Sequence, residues 1–301
     1  MITNFEQLKD KALSSGKMVL SVAAAADEAV IAAVEQARSM GIIDAYLVGD
    51  KDKICSIARA MGVDIGKYGV IDEAEAGDAA RTAVKLVHDG RADFVMKGIL
   101  GTADILKAVL DEEIGLRGQN LLSHVMVYDI PSYHKLLMVT DGGMVISPNL
   151  EEKAGIIKNA AAVGRALDID PLKVAALCAV EIVNPKMKAT ADAAQLAEMS
   201  ARGEFEGAVV EGPLAFDLAV SREAARHKGV AGQVAGDADC LLAPYIEVGN
   251  GIGKCLAYFG GAQCAGIVMG ASRPILLVSR ADPPEDKFNS ILLGSVIASN
   301  K

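Results

Sequence analysis

The chain has 301 residues, of which 51% are hydrophobic and 4% aromatic, and it carries a formal net charge of −9 at pH 7. This length allows two domains, and the alanine- and valine-rich composition is typical of a helix-rich α/β protein. The negative charge excludes the extended basic surface that nucleic-acid binding requires, so an anionic ligand must meet locally placed cations.

The cysteines and the N-terminus indicate a reducing compartment. Five cysteines are present, an odd number without a C-x-x-C pair, which predicts small buried thiols. The polar, amphipathic N-terminus does not match a signal peptide. The apolar stretch 19–34 is interrupted by Asp27 and Glu28 and is too short to span a bilayer. We therefore expect a soluble cytoplasmic protein that binds neither nucleic acid nor membranes.

In the first half of the chain, short apolar runs alternate with segments of helical periodicity. This pattern predicts βαβ units and a mainly parallel sheet. Strands are predicted at 17–25, 44–50, 92–98, 122–129 and 135–143. Helices are predicted from Asp27 to about Met40, up to about Gly62, and over 102–113.

The same pattern restarts near Pro148 and continues to the C-terminus. Helices are predicted at 149–169, 192–203 and 285–299, and strands at 173–181, 205–217 and 275–278. The segment 239–270 adds a strand, a glycine-punctuated helix and another strand. Without an internal repeat or a linker, any domain boundary is expected at short crossings near 140 and 271.

Polar residues follow three predicted strands, where ligands bind in open parallel sheets. These strand ends are Lys97-Gly98, Glu211-Gly212-Pro213 and Ser279-Arg280. Two cations among them favour a ligand that carries phosphate.

The third strand end is followed closely by a predicted helix. Pro283 or Pro284 suits a first helical turn, so Asp286 and the helix N-terminus should lie beside Ser279 and Arg280. The alternative is that Asp286 only caps this helix and forms an ion pair with Arg280.

Common nucleotide and metal motifs are absent from the sequence. The stretch "EVGNGIGKC" has Lys254 where a dinucleotide motif needs glycine, although its glycines can let a phosphate-bearing ligand approach the backbone amides. The four histidines are scattered and no G-x-S-x-G motif occurs, so we expect neither a catalytic metal nor a serine-hydrolase site.

Several long motifs resemble the phosphate acetyl/butyryl transferases. They are "VVEGPLAFDLAVS" (209–221), "GVAGQVAGDADCLLAPYIEVGNGIGK" (229–254) and "PILLVSRADPPEDK" (274–287). "ADFVMKGILGTADILKAVL" (92–110) and "GLRGQNLLSHVMVYD" (115–129) resemble the butyryl branch more than the acetyl branch. One departure is "ADPP" after Ser279-Arg280, where the acetyl branch has a glycine-containing loop.

The resemblance implies reversible transfer of a butyryl or similar short acyl group between coenzyme A and inorganic phosphate, which gives acyl phosphate. It implies an α/β fold like that of the isocitrate and isopropylmalate dehydrogenases, with one domain of residues 1–139 plus 272–301, a second of residues 140–271, and the active site in the cleft between them. A homodimer or larger homo-oligomer is expected. Coenzyme A enters as a substrate, and we expect no cofactor.

In this family a Ser-Arg pair and a following aspartate are tied to catalysis, and they match Ser279, Arg280 and Asp286. Because of the "ADPP" departure, Asp282 or Glu285 remains an alternative to Asp286. Substrate binding is assigned to further residues of the matching motifs: Lys97, Gly98, Thr102, Arg117, Gly212, Pro213, Asn250 and Gly251.

The chemistry needs a thiolate, a polarised carbonyl and a stabilised phosphate. We assign Asp286 as the general base, and we expect Arg280 to assist it by lowering the pKa of the thiol. Ser279 is assigned as a hydrogen-bond donor in a ternary complex. The alternative mechanism passes through acyl-Ser279 or an acyl-cysteine. Alternative functions are a phosphate acetyltransferase, a dehydrogenase on the same fold, for which no metal-binding aspartates are found, and a non-catalytic coenzyme A or acyl-phosphate binding protein.

Overall fold

The computed structural model describes residues 1–118 and 120–300; Gln119, within one of the family motifs, lies outside the described residues. The strands are β1 Met18–Ala23, β2 Ile43–Gly49, β3 Gly69–Asp72, β4 Phe94–Lys97, β5 Ser123–Asp129, β6 Leu137–Thr140, β7 Leu172–Leu177, β8 Ala208–Leu214, β9 Cys240–Leu242, β10 Gln263–Met269 and β11 Ile275–Leu276. The helices are α1 Phe5–Ser14, α2 Glu28–Ser39, α3 Lys51–Ala60, α4 Ala76–His88, α5 Thr102–Val109, α6 Leu150–Ala166, α7 Lys188–Ala201, α8 Phe216–Val220, α9 Arg222–His227, α10 Ile246–Tyr258 and α11 Pro284–Ser299.

The chain forms two units. The terminal unit comprises Phe5–Asn120 and Ala265–Lys301, and the central unit comprises Leu121–Cys264 with Met1–Asn4. In the terminal unit the strand order is β3-β2-β1-β4-β11-β10. All of these neighbours are parallel except the antiparallel pair β10 and β11.

In the central unit the strand order is β5-β6-β9-β7-β8. The β5–β6 pair is antiparallel and the other pairs are parallel. Because β6 pairs with both β5 and β9, residues 121–139 belong to this unit. The boundaries therefore lie at 120/121 and 264/265, in place of the predicted 139/140 and 271/272.

Local sequence explains where several helices begin. The Asp27 side chain accepts a hydrogen bond from the Val30 N–H at 2.9 Å, which caps α2. Asn149 and Glu152 form a reciprocal capping box at the start of α6, with N···O distances of 2.8 and 3.0 Å. Pro284 is the first residue of α11, where its missing N–H costs no helical hydrogen bond.

Helix α11 is buried on all sides from Asp286 to Ala298 and packs against α1 and α2. A Cβ atom at Gly294 would lie 2.6 Å from the Leu276 side chain and 3.0 Å from that of Phe94. This close packing against β11 and β4 fixes the N-terminus of α11 relative to the ends of both strands.

The predicted mixed α/β fold with a large, mostly parallel sheet is confirmed. Strand β3 and helices α1, α4, α8 and α9 were not predicted from the sequence. Across residues 1–118 and 120–300, no helix has both the length and the apolar character needed to cross a membrane. The same residues contain no group of three or more His, Cys, Asp or Glu side chains that could hold a metal ion.

Candidate active site

Lys97 lies at the carboxyl end of β4, as predicted. Its side chain is buried, with an exposed fraction of 4%. The Nζ atom donates to the carbonyl oxygens of Gly98 at 3.3 Å and Leu100 at 3.4 Å, both long hydrogen bonds. Lys97 forms no salt bridge with any residue that the structure describes.

Gly98 is required by close backbone packing. Its N–H donates to the Ala23 carbonyl oxygen at 2.8 Å. A Cβ atom at this position would lie 2.3 Å from the Ala24 carbonyl oxygen, well inside a permissible contact. The loop after β4 therefore runs tightly against the end of β1, and Gly98 keeps Lys97 and Leu100 in place.

Strand β11 brings Ser279 and Arg280 to the same edge of the sheet. Ile275 and Leu276 pair in parallel with Val95 and Met96 of β4, so the carboxyl ends of both strands point the same way. The predicted strand 275–278 is wrong in its second half, because the chain leaves the sheet after Leu276. Ser279 and Arg280 lie beyond the strand, in an exposed turn.

Asp282 closes this turn. Its carboxylate accepts a hydrogen bond from the Ser279 N–H at 2.8 Å, and its own N–H donates to the Ser279 carbonyl oxygen at 3.2 Å. The Ser279 Oγ atom accepts a hydrogen bond from the Ala281 N–H at 3.4 Å. The Asp282 carboxylate is thus engaged in holding the backbone of the catalytic candidates.

The first turn of α11 contributes two buried charged residues. Asp286 has an exposed fraction of 7% and Lys287 of 2%, whereas the neighbouring Glu285 is exposed. The Lys287 Nζ atom donates to the Asp282 carbonyl oxygen, which ties α11 to the turn. Lys287 was not predicted as a site residue, although it directly follows Asp286 in the matching motif.

Arg280 does not form the predicted alternative ion pair with Asp286. No salt bridge or side-chain hydrogen bond involves the Arg280 guanidinium group within the described part of the chain. Arg280 is exposed and lies in a turn, and its side chain has no acidic partner in residues 1–118 and 120–300.

The electrostatics around Lys97 reflect this arrangement. Burial lowers the pKa of Lys97 below its usual 10.5, the positive charges of Arg280 and Lys287 lower it further, and Asp282 partly opposes them. Arg280 and Lys287 are therefore both close enough to Lys97 to repel its ammonium group. A bound anion would offset both this repulsion and the cost of burying Lys97.

Two other predicted residues lie at opposite ends of α5 in the terminal unit. Thr102 is the first residue of α5, two positions after Leu100, whose carbonyl oxygen accepts from Lys97. Arg117 is exposed, and its Nε atom donates to the Leu110 carbonyl oxygen at 2.8 Å. This contact anchors Arg117 to the end of α5 and leaves its remaining N–H groups for a ligand.

Gly212 and Pro213 belong to the central unit. Both lie inside β8, which continues to Leu214, so the predicted strand end at this position is wrong. A Cβ atom at Gly212 would lie 2.8 Å from the Ala176 Cβ atom, which explains the glycine by packing.

The neighbouring Glu211 carboxylate is also used structurally. It accepts hydrogen bonds from the N–H groups of Gln233, Val234 and Ala235 at 2.7, 3.1 and 3.3 Å. This residue therefore anchors the loop 233–235 to β8.

Asn250 and Gly251 are exposed residues of α10. The Asn250 Nδ2 atom donates to the Gly142 carbonyl oxygen at 3.2 Å, which ties α10 to the loop after β6. A Cβ atom at Gly251 would have open space, whereas one at Gly249 would lie 2.5 Å from the Asp141 carbonyl oxygen. The packing requirement for glycine in this stretch thus falls on Gly249.

The cysteines differ from the prediction that most are buried. Cys240 and Cys264 are buried, Cys55 and Cys178 are half-buried, and Cys255 is exposed on α10. Burial raises the pKa of the Cys178 thiol to about 11. Burial raises the pKa of Cys240 even further.

The geometry of the terminal unit is suited to binding a small oxyanion. It places two buried lysines, an arginine and a serine at the carboxyl ends of two adjacent parallel strands. It is not a P-loop or dinucleotide loop, because the cations come from β4, a turn and α11 rather than from a glycine-rich segment.

Comparisons with known proteins show the family to which the chain belongs. The model of the family described as "phosphate acetyl/butaryl transferase" matches residues 73–295. The chain is 46% identical to the phosphate butyryltransferase of Clostridium acetobutylicum over 301 residues, which is 100% of both chains. It is 44% identical to the phosphate butyryltransferase of Clostridium beijerinckii over 299 residues, 99% of each.

A solved structure is also similar. The branched-chain phosphotransacylase of Enterococcus faecalis V583 superposes with a TM-score of 0.84 at 30% sequence identity. The match covers 93% of this chain and 99% of that one. The likeness therefore extends over both units.

Proposed function

Because the chain belongs to the phosphate acetyl/butyryl transferase family, we propose that it transfers a butyryl or similar short acyl group reversibly between coenzyme A and inorganic phosphate. The observation that carries this proposal is the full-length identity of 46% to a phosphate butyryltransferase. The cations at the ends of β4 and β11 are the structural feature that fits a phosphate substrate.

In this proposal the phosphate or phosphoryl group lies against Lys97 and Arg280. A guanidinium group binds phosphate oxygens in a bidentate manner, and a buried ammonium group supplies a point charge. Both charges also stabilise the phosphate that leaves when the acyl group moves to the thiol.

Attack by coenzyme A requires a thiolate. A thiol with a pKa near ~8.5 facing a carboxylate near ~3.9 is mismatched by about 4.6 units, so full proton transfer would cost roughly 6 kcal/mol. We assign Asp286 as the general base because it is buried, whereas Asp282 is engaged with Ser279 and Glu285 is exposed. Arg280 lowers the cost by stabilising the thiolate.

Ser279 is proposed as a hydrogen-bond donor to the acyl phosphate. Its Oγ atom contacts the Ala281 N–H, and no histidine contact to Ser279 exists among the described residues, so nothing there activates it as a nucleophile. The raised pKa of Cys178 disfavours an acyl-cysteine at this residue. A ternary complex with direct thiolate attack is therefore the proposed mechanism.

Purified protein incubated with butyryl-CoA and inorganic phosphate tests the function directly. Release of free thiol that depends on phosphate, together with formation of butyryl phosphate, is the expected result. Binding of coenzyme A without turnover would instead support the non-catalytic alternative.

We further propose a homo-oligomer, dimer or larger, that acts in the cytoplasm without a cofactor. This rests on the family resemblance and on substrates that belong to intracellular metabolism. The relationship to the isocitrate and isopropylmalate dehydrogenase fold rests on the same resemblance and stays a prediction. Light scattering of the purified protein would give the number of subunits.

A further inference from the structure

Lys287 occupies an unusual position for a lysine. Its side chain is buried to 98% in the first turn of α11, since its exposed fraction is 2%. Cations are disfavoured at helix N-termini, where the helix dipole is positive. Lys287 nevertheless forms no salt bridge with any residue in the described ranges.

Folding alone does not call for a charge here. Among the residues that the structure describes, the single polar contact of the Lys287 side chain is the hydrogen bond from Nζ to the Asp282 carbonyl oxygen. A buried charge without an acidic partner is costly, and an apolar side chain of similar length would fill the same volume. The cost is offset when the site receives an anion.

The neighbours of Lys287 carry the same sign. Lys97 is buried without a salt bridge in the described part of the chain, and Arg280 extends from the adjacent turn. The charged residues that act on Lys97 are Arg280, Lys287 and, with opposite sign, Asp282. Asp282 directs its carboxylate to the Ser279 N–H. The other buried acid in this first turn of α11 is Asp286, which is assigned as the general base.

We propose that Lys287 is a positioning residue for the phosphate substrate: it holds the Ser279–Asp282 turn through the Asp282 carbonyl and, with Arg280, makes the site at Lys97 selective for a doubly charged phosphoryl group. This inference rests on the proposed function. Lys287 acts through the turn and through its charge.

The first test replaces the charge and keeps the shape, with Lys287→Met. The Michaelis constant for inorganic phosphate should rise about tenfold, because a cation several ångströms away is removed from a site of low dielectric constant, while that for coenzyme A stays within about twofold. The loss of phosphate affinity at alkaline pH should move to higher pH, since Lys97 is freed from one repelling charge. The matched control is Lys51→Met, an exposed lysine in the first turn of α3.

The second test should shift the alkaline loss of phosphate affinity in the opposite direction. In Asp282→Asn the amide oxygen still accepts from the Ser279 N–H, but the negative charge near Lys97 is lost. The alkaline loss of phosphate affinity should then move to lower pH, opposite to Lys287→Met. This result does not depend on how Lys287→Met folds.

Titration calorimetry with inorganic phosphate measures the same shifts without turnover. The inference would be overturned if Lys287→Met changed the affinities for phosphate and coenzyme A equally, or left unchanged the pH at which phosphate affinity is lost. Shifts of this pH in the same direction in both variants would also overturn it. Failure of the wild-type protein to form acyl phosphate would instead count against the proposed function. The test of the Lys287 inference is thus distinct from the test of the function.

Discussion

The Asp282 carboxylate accepts a hydrogen bond from the Ser279 backbone N–H at 2.8 Å, which commits this aspartate to the turn that carries Arg280. An acid engaged in this way is a poor candidate for the proton acceptor. Within the proposed mechanism, this contact favours the buried Asp286 as the general base. Asp282 instead holds the conformation of the turn.

Arg280→Ala should reduce turnover far more than stability. A contact to developing charge contributes about 2.7 to 4 kcal/mol in comparable sites, which is about 10²- to 10³-fold in kcat. The free energy of unfolding should change by no more than about 0.5 kcal/mol, because the side chain is exposed and unpaired within the described part of the chain. Steady-state kinetics and chemical denaturation measure the two effects.

The control for this variant is Arg202→Ala, an exposed arginine paired with Glu204 at the end of α7. It should leave both quantities almost unchanged. If Arg280→Ala kept more than about a third of the wild-type rate, this would contradict the proposed role of Arg280 in stabilising developing negative charge.

Lys97→Ala should raise the Michaelis constant for phosphate or acyl phosphate more than that for coenzyme A. In the wild-type protein the protonated ammonium group binds the anion, and its pKa lies below 10.5 because of burial and the nearby cations. Phosphate affinity should therefore be full below the lowered pKa and decline as the pH rises through it. This decline should be absent in Lys97→Ala.

Initial rates at subsaturating phosphate, measured between neutral and alkaline pH, report this decline in phosphate affinity. Equal increases in both Michaelis constants would assign Lys97 a structural role, because a disordered loop after β4 would not distinguish between the two substrates.

The buried pair Lys153–Asp192 in the central unit gives a prediction on stability. The two side chains are 2.7 Å apart, and Lys188 approaches the same carboxylate at 2.7 Å. Burial alone would raise the pKa of Asp192, but the hydrogen bonds from Lys153 and Lys188 hold it below 3.8. Asp192→Asn should therefore cost about 3 to 5 kcal/mol at neutral pH, since it leaves Lys153 buried and uncompensated.

The sign of the pH dependence follows from the lowered pKa. The stabilising contribution of Asp192 is present above its unfolded pKa and is lost as the pH falls through the folded pKa. The difference in unfolding free energy between wild type and Asp192→Asn should shrink over that acidic range. A difference that stays constant with pH would exclude the ion pair as its source; Glu204→Gln, which breaks an exposed pair, is the control.

The preferred acyl chain can be measured with the straight-chain coenzyme A esters from acetyl to valeryl. Each buried methylene contributes about 0.8 kcal/mol, so two of them give roughly 1.6 kcal/mol, or about fifteenfold in kcat/KM for butyryl over acetyl. Overlap onto propionyl and branched chains is expected, because an apolar pocket discriminates weakly between neighbours. A maximum at acetyl would contradict the butyryl preference while leaving the family unchanged.

The sequence predicted Lys97 at the end of β4 because an apolar run followed by Lys-Gly has a clear local signal. The strand before Ser279 was predicted too long, because β11 pairs over two residues and then leaves the sheet. Lys287 was missed because its role depends on the chain folding back onto Asp282, which no periodicity reports. Glu211 was placed at a strand end because its backbone partners lie more than twenty residues further on.

The terminal unit is built from two segments of the chain, and the ribosome synthesises the segment 5–120 long before the segment that begins at residue 265. Strand β4 obtains its neighbour β11 from the segment after residue 264, so a growing chain that ends earlier presents β4 as an open sheet edge. Ser279, Arg280 and Lys287 emerge in the same late segment. Lys97 is thus translated well before its charged neighbours, and a ribosome-bound fragment would hold one cation of the group beside an unprotected strand.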